Sequence, residues 1–365
     1  MVMNKASVIA AAVLSVGLLI PSVGQAAPEN IVWDNTSGDF KYTTASNWDT
    51  DNAPISTDFA AINNGQTVTI GTGDTGAADV LALGGGDDGS GFTGHINQSG
   101  GTLNISNALQ IGRATGTTGS YTLSGGTLNA TGAVTVGRKG AGTFTQTGGQ
   151  VNTPNVFIGD WSSGSGTYSI SNGLLVADNI GHPSSEGPAT LNISGTGTVA
   201  VGVIHGDGLQ TININFTGGT LGALVVNQNL TNAGGRLEAA GSLVDATGIS
   251  DINGDYTQSS GTLAVDIEGL SQGSSYDLFD ISGLASLAGS IDVSLLSFTP
   301  TPGDFFDVFT AIDITDTSVL IGDAGFTKSI VSGGNGEILR LTYVPEPASL
   351  SVVGLLGLCA LARRR

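Results

Sequence analysis

Tyr121-Thr122-Leu123-Ser124-Gly125-Gly126-Thr127-Leu128-Asn129 returns as Phe144-Thr145-Gln146-Thr147-Gly148-Gly149-Gln150-Val151-Asn152. Two alternating segments flank a Gly corner in both copies. Alternation puts every second side chain on one face, and Thr, Val, Ile and Tyr favour strands. Gly permits the tight turn between them. Reading outward, the corner recurs as Gly101-Thr102-Leu103, Gly173-Leu174-Leu175, Gly197-Thr198-Val199 and Gly219-Thr220-Leu221. Corner glycines from Gly101 to Gly219 stand 25, 23, 24, 24 and 22 residues apart. The alternating segment recurs as Tyr168-Ser169-Ile170, Leu191-Asn192-Ile193 and Ile212-Asn213-Ile214. An aliphatic residue before Gly marks a third position: Ile111-Gly112, Val136-Gly137, Ile158-Gly159 and Ile180-Gly181, with His205-Gly206 an imperfect copy.

A unit of about 24 residues is too short for a propeller blade and suits one coil of a solenoid. Helical repeats do not fit, because Gly interrupts every window that would hold a 3.6 period. The expected fold is all-β: a right-handed parallel β-helix with coils of 22–25 residues. In register, Leu103, Leu128, Val151, Leu175, Val199 and Leu221 form one inward column. Tyr121, Phe144, Tyr168, Leu191 and Ile212 form another. At about 4.8 Å per coil, residues 66–230 predict about seven coils and a rod of about 30–35 Å. Gln98, Gln146 and Gln258 fall where Leu123 and Ile170 fall in other units. Their amides are expected to bond backbone at coil corners rather than to face a glycan groove. Asn104, Asn129 and Asn152 align as an amide ladder.

The same punctuation explains the composition. The chain has 365 residues, of which 58 are Gly, 11% are charged, and the net charge is −19. Gly does not recur every third residue, which excludes a collagen helix. With 39% hydrophobic residues there is matter for a core, which excludes a disordered acidic tail. The negative balance and the lack of a Lys/Arg stripe exclude nucleic-acid binding. The one cysteine, Cys359, lies near the C-terminus, so no disulfide framework is expected.

Outside the repeats, residues 27–65 carry Trp33, Phe40, Tyr42, Trp48 and Phe59 and read as an N-terminal β cap over the repeats of 66–233. Exposed tryptophans there would alternatively form a carbohydrate platform. After Gly234 the period lapses, and 234–343 reads as a C-terminal β cap or small sandwich. Open solenoid ends need such caps against end-to-end association.

Candidate chemistry is sparse. Arg113, Arg138, Asp160, His182 and Asp207 each follow the second Gly of a unit, and in register they would stack as one polar column. Arg138 beside Asp160, with His182 between two aspartates, would suit acid/base work, since neighbouring charges tune each pKa. Opposite-sign ladders are also expected from cross-strand energetics alone, so no catalytic set is assigned. Asp87-Asp88 and Asp251-Ile252-Asn253-Gly254-Asp255 are weak calcium candidates. Tyr256 stands where a calcium loop needs Gly, and Thr262 where it needs Glu. No transition-metal spacing links His95, His182 and His205, and no other cofactor is expected.

Both termini read as sorting signals. Lys5, the apolar run Ala6–Ile20, Pro21 and small residues up to Ala26 predict a secretory signal peptide, 1–26, cleaved after Ala26. At the other end, Val344-Pro345-Glu346-Pro347 precedes the apolar stretch Leu350–Ala362 and Arg363-Arg364-Arg365. The arginines would stay cytoplasmic, and the stretch is short for a stable membrane span. This tripartite segment, 344–365, resembles the PEP-CTERM sorting signal. The resemblance implies an exosortase-type processing protease as partner and transient inner-membrane anchoring. It further implies delivery to the cell surface or extracellular matrix of a Gram-negative bacterium, often in association with exopolysaccharide. The Gly-rich repeats, and the cap with Ala45-Ser46-Asn47-Trp48, resemble autotransporter-like surface proteins, although no membrane β-barrel follows them. With both signals removed, 27–347 keeps all 30 acidic residues but seven of 11 basic ones, a net charge of −23. The expectation is a non-enzymatic surface or matrix protein of a biofilm. The alternatives are a polysaccharide lyase or glycoside hydrolase using Arg138, Asp160 and His182, and a glycan-binding adhesin.

Overall fold

A computed structural model describes residues 30–85, 93–181, 186–206, 211–239, 247–334 and 336–345. The chain is a parallel β-solenoid of about 11 coils with about 25 residues per turn, and 63% of it is strand. At about 4.8 Å per coil the rod is about 50 Å long. Among the described residues, no helix is long and apolar enough to cross a membrane.

Strand Thr93–Ile111 stacks on Thr118–Ala130, which stacks on Ala141–Ile158, which stacks on Ser165–Ile180. The expected inward column is present: Leu103, Leu128, Val151, Leu175, Val199 and Leu221 pair in succession and are all fully buried. The aromatic column is also present. Tyr121, Phe144 and Tyr168 stack with ring centroids 5.0 and 4.6 Å apart and planes 6° and 3° from parallel. Its upper end differs from expectation, because Leu191 pairs with Ile214 rather than Ile212. A two-residue slip keeps the same side chains facing inward, so alternation alone cannot distinguish these registers.

The corner glycines are dictated by stacking. Gly126 and Gly149 adopt φ of +80° and +68°. A Cβ on Gly149 would lie 2.6 Å from the carbonyl oxygen of Gly126 in the coil below. Coils at strand spacing therefore leave no room for a side chain there, and the left-handed backbone disfavours one in any case.

Parallel pairing continues past residue 234, with a register shift between Ala233 and Arg236, which corrects the expected lapse of the repeat. The Leu221 column continues through Leu237, Leu263, Ile291 and Leu320. Its steps after Leu237 lengthen to 26, 28 and 29 residues, so a 24-residue signal fades while the coil itself persists. Among the described strands, antiparallel ladders occur at the C-terminal end. Strands Phe326–Ser332 and Glu337–Tyr343 form an antiparallel hairpin, whose second strand pairs with Phe305–Ala311.

The N-terminal end is closed by aromatics. Trp33 and Trp48 pack edge to face at 5.1 Å, as do Tyr42 and Trp48, and all three are buried. Gly76 begins the Leu103 column, and a Cβ there would sit 2.8 Å from the Tyr42 ring. Tyr42 thus fills the place of the missing side chain, and its hydroxyl donates to the Ala77 carbonyl at 2.8 Å. Burial removes Trp33 and Trp48 as a carbohydrate platform.

Candidate functional site

The polar column predicted after the second Gly runs along one flank, in the turns that follow strands ending at Ile111, Val136 and Ile158. Backbone bonds set its register. Gly159 N donates to Val136 O at 2.9 Å, Asp160 N to Gly137 O at 3.1 Å, and Trp161 N to Arg138 O at 3.1 Å. Asp160 therefore stacks over Arg138, and Trp161 over Lys139.

Two members of the expected column, Arg138 and Asp160, thus stand one coil apart on the same flank. The Arg113 guanidinium lies 4.4 Å above the Phe59 ring and donates to Gln110 Oε1 at 2.9 Å. The next coil slips. Val136 lies under Ile158, but Ile180 lies over Val156, and Gly181 N donates to Val156 O at 2.8 Å. The strictly registered column ends at Asp160. His182 and Asp207 lie outside the described residues.

What the turn does assemble is an aromatic surface that the motif reading missed. Trp161 is 50% exposed, whereas Trp33 and Trp48 are buried. Its ring rests 4.4 Å from the Lys139 Nζ, a cation–π contact. Gly164 N donates to Trp161 O at 2.7 Å, and Ser163 Oγ donates to Lys139 O at 2.9 Å. The turn is thereby fixed on both sides of the indole. Asp160, Trp161, Ser162 and Glu186 line a surface depression of about 450 Å³. Glu186 is placed by its neighbour, since Gly187 N donates to Gly159 O at 3.0 Å. The signal was present in the sequence: Trp161 follows the aliphatic-Gly pair and falls in neither inward column.

The amide predictions hold. Gln98 Nε2 donates to the carbonyls of Gly100, Gly101 and Thr127 at 3.2, 3.3 and 3.1 Å, and Gln146 Nε2 to those of Gly149 and Leu174 at 3.2 and 3.0 Å. Gln258 Nε2 donates likewise to Gly261 and Ser290 at 3.4 and 2.9 Å. All three glutamines are buried, so they face no groove. Asn129 donates to Asn104, and Asn152 to Asn129, both at 2.9 Å.

Of the four calcium candidates, Asp251 and Asp255 are among the described residues. Asp87 and Asp88 lie outside the described residues. Asp251 stacks directly below Asp280, and partial burial together with the Asp280 charge raises its pKa. The Asp255 carboxylate is engaged by Leu284 N at 2.8 Å. Among the described residues, no three His, Cys, Asp or Glu side chains group as metal ligands. A second depression, of about 400 Å³, is lined by Asp280, Thr310 and Glu337. Thr310 Oγ1 donates to Asp280, and Glu337 accepts from Ile314 N, so these three side chains are already bonded.

Of the sorting motif, Pro345 ends the described chain, while Ala26, Glu346, Pro347, Arg363, Arg364 and Arg365 lie outside it. No family model, curated protein or solved structure matches the chain.

Proposed function

We propose that the protein is a secreted, surface-sorted structural element of an extracellular matrix, held in an exopolysaccharide layer. The observation that carries this reading is the PEP-CTERM-like tail of 344–365 joined to a solenoid whose polar repeats serve its own stacking. The glutamine column binds corner carbonyls and the asparagine column binds itself, so these repeated amides are spent on holding coils in register. A long, thin, acidic rod suits a spacer or matrix role: like charge keeps separate rods apart and soluble. Divalent cations would bridge such a surface to anionic polymers.

Fractionation of the native host, with the full chain and with residues 345–365 deleted, tests the reading. The full chain is expected at the surface in processed form, and the truncated chain in the periplasm or medium. Retention of the unprocessed chain in the inner membrane would overturn it. Release of reducing sugar or unsaturated uronate from glycans, abolished by an Asp160→Ala/His182→Ala pair, would replace it with the enzymatic alternative.

A further inference from the structure

We propose that the outer face of the central coils binds ice. The inference does not depend on the sorting reading above.

Three stacked strand segments build the face: Thr118-Gly119-Ser120-Tyr121-Thr122, Ala141-Gly142-Thr143-Phe144-Thr145 and Ser165-Gly166-Thr167-Tyr168-Ser169. They stack in strict register, Ser120 to Thr143 to Thr167 and Thr122 to Thr145 to Ser169. Tyr121, Phe144 and Tyr168 are buried, so alternation turns the residues on either side of them outward. The outcome is three rows of three outward side chains, all exposed or half-buried, of which eight carry a hydroxyl. Neighbours stand about 4.8 Å apart between coils and about 6.6 Å apart along a strand.

The grid is flat, stiff and uncharged. Adjacent strands ordinarily rotate by about 20–25°, and flat sheets need stacking or a side-chain ladder to hold them. The aromatic ladder directly behind this grid has its planes within 6° and 3° of parallel. Threonine is restricted at χ1, which fixes its hydroxyl and methyl. At the grid's two ends, His95 Nδ1 lies 2.7 Å from Ser120 Oγ, and Asn192 Nδ2 donates to Ser169 Oγ at 2.8 Å. Across 89–206, Arg113, Arg138 and Lys139 balance Asp160, Asp178 and Glu186, and none of the six stands on the grid. The acidity of the rod is therefore carried toward its ends.

These properties select the occupant. A hydroxyl gains little by exchanging one water for another. Gain requires a partner whose oxygens are already placed at the grid's repeat, so that no ordering entropy is lost. Both spacings are close to those of water oxygens on the faces of an ice crystal. A sugar chain would find no aromatic ring here to stack on. A second copy would bury about 300 Å² a side even over six coils at these spacings, short of the roughly 800 Å² of a stable protein interface.

Slow freezing of a dilute solution of the full chain onto a cold surface tests this. The wild type should be enriched in the ice fraction and should inhibit ice recrystallisation. Thr143→Lys, at the grid's centre, should lower the enrichment by about tenfold or more, as loss of a central hot spot does. Thr127→Lys, outward on another face of the same coil, should leave it unchanged. Circular dichroism checks that each variant folds, and Ala141→Lys at the exposed grid edge is a second grid variant. Exclusion of the wild type from ice, or equal enrichment of wild type and both grid variants, would overturn the proposal. So would a wild-type dimer that Thr143→Lys dissolves, which would assign the face to a second copy. Retention on crystalline cellulose, abolished by Thr143→Lys without any enrichment in ice, would assign it to a glycan.

Discussion

Tyr168 donates its hydroxyl to Gln146 Oε1 in the coil below, at 2.7 Å, and both residues are fully buried. Tyr121 makes the same bond to Gln98. Between them, Phe144 stands one coil above Leu123, and neither carries a polar group. The hydroxyl is thus present where the coil below offers an amide and absent where it offers a methyl. Burial raises the Tyr121 and Tyr168 pKa well above the usual phenol range, so both remain neutral donors.

Gln146→Leu is therefore expected to cost about 1–3 kcal/mol, because the Tyr168 hydroxyl is left buried without its acceptor. The pair Gln146→Leu/Tyr168→Phe should recover much of that loss by recreating the Leu123/Phe144 arrangement. Urea denaturation of the four chains of the double-mutant cycle measures the coupling. Additive losses would show that the two side chains act independently.

Corner glycines yield a second contrast. Gly149→Ala must hold a left-handed backbone and also place its methyl 2.6 Å from the Gly126 carbonyl oxygen. Gly116 has a similar φ of +77°, but a Cβ there meets nothing within 4 Å. Gly116→Ala should cost about 1–2 kcal/mol from the backbone alone. Gly149→Ala should cost clearly more and broaden the unfolding transition, since it parts two coils whose mutual packing is the unit of stability. Similar midpoints for the two variants would refute the steric account.

These comparisons explain what was legible in the sequence. The Leu103 column and the glutamine corners were readable because Gly-Gly corners of nearly constant spacing mark their register. The step from Leu191 was not readable: Ile212 and Ile214 both alternate inward, and loop length rather than pattern decides between them. The coils beyond Gly234 were hidden for a related reason, since their steps grow to 29 residues while their strands keep the same inward faces. A separate slip, where Ile180 sits over Val156, limits the strict register of the polar column to the turns up to Asp160. Trp161 needed no register at all. Its exposure is not legible in a pattern of charged residues, because an indole carries no charge.

Stability should depend on pH through Asp277. Its carboxylate accepts Gly248 N and Asp266 N at 2.9 and 2.8 Å. Burial, with the nearby Asp266 and Glu238 charges adding to it, pushes its pKa up to about 7. Between about pH 4 and 7 the unfolded chain has lost this proton while the folded chain holds it. The stabilising contribution is therefore complete below about pH 4 and lost as pH rises through 7, by at most about 1.4 kcal/mol per unit. Asp277→Asn cannot ionise, and the fall in stability from pH 5 to pH 8 should shrink. An unchanged profile in urea titrations at the two pH values would assign the dependence to other carboxylates.

The last coil sets the final prediction. Strand Val319–Gly322 pairs with Ser290–Leu295 on one side, and no described strand pairs with its other edge. Val319 and Ile321 on this strand are 62% and 45% exposed. Such an edge invites a second chain unless a charge blunts it. Lys328, on the closing hairpin, supplies one beside this strand: its Nζ bonds Asp316 at 2.6 Å and reaches Ser318 Oγ at 2.9 Å. Lys328→Met should loosen the hairpin from the coil, leave the Asp316 charge without its cation, and expose the edge. Light scattering over a concentration series should then show association that the wild type lacks, strongest at high ionic strength, where salt screens the repulsion between acidic rods. A monodisperse variant under those conditions would mean that the edge is protected by twist alone.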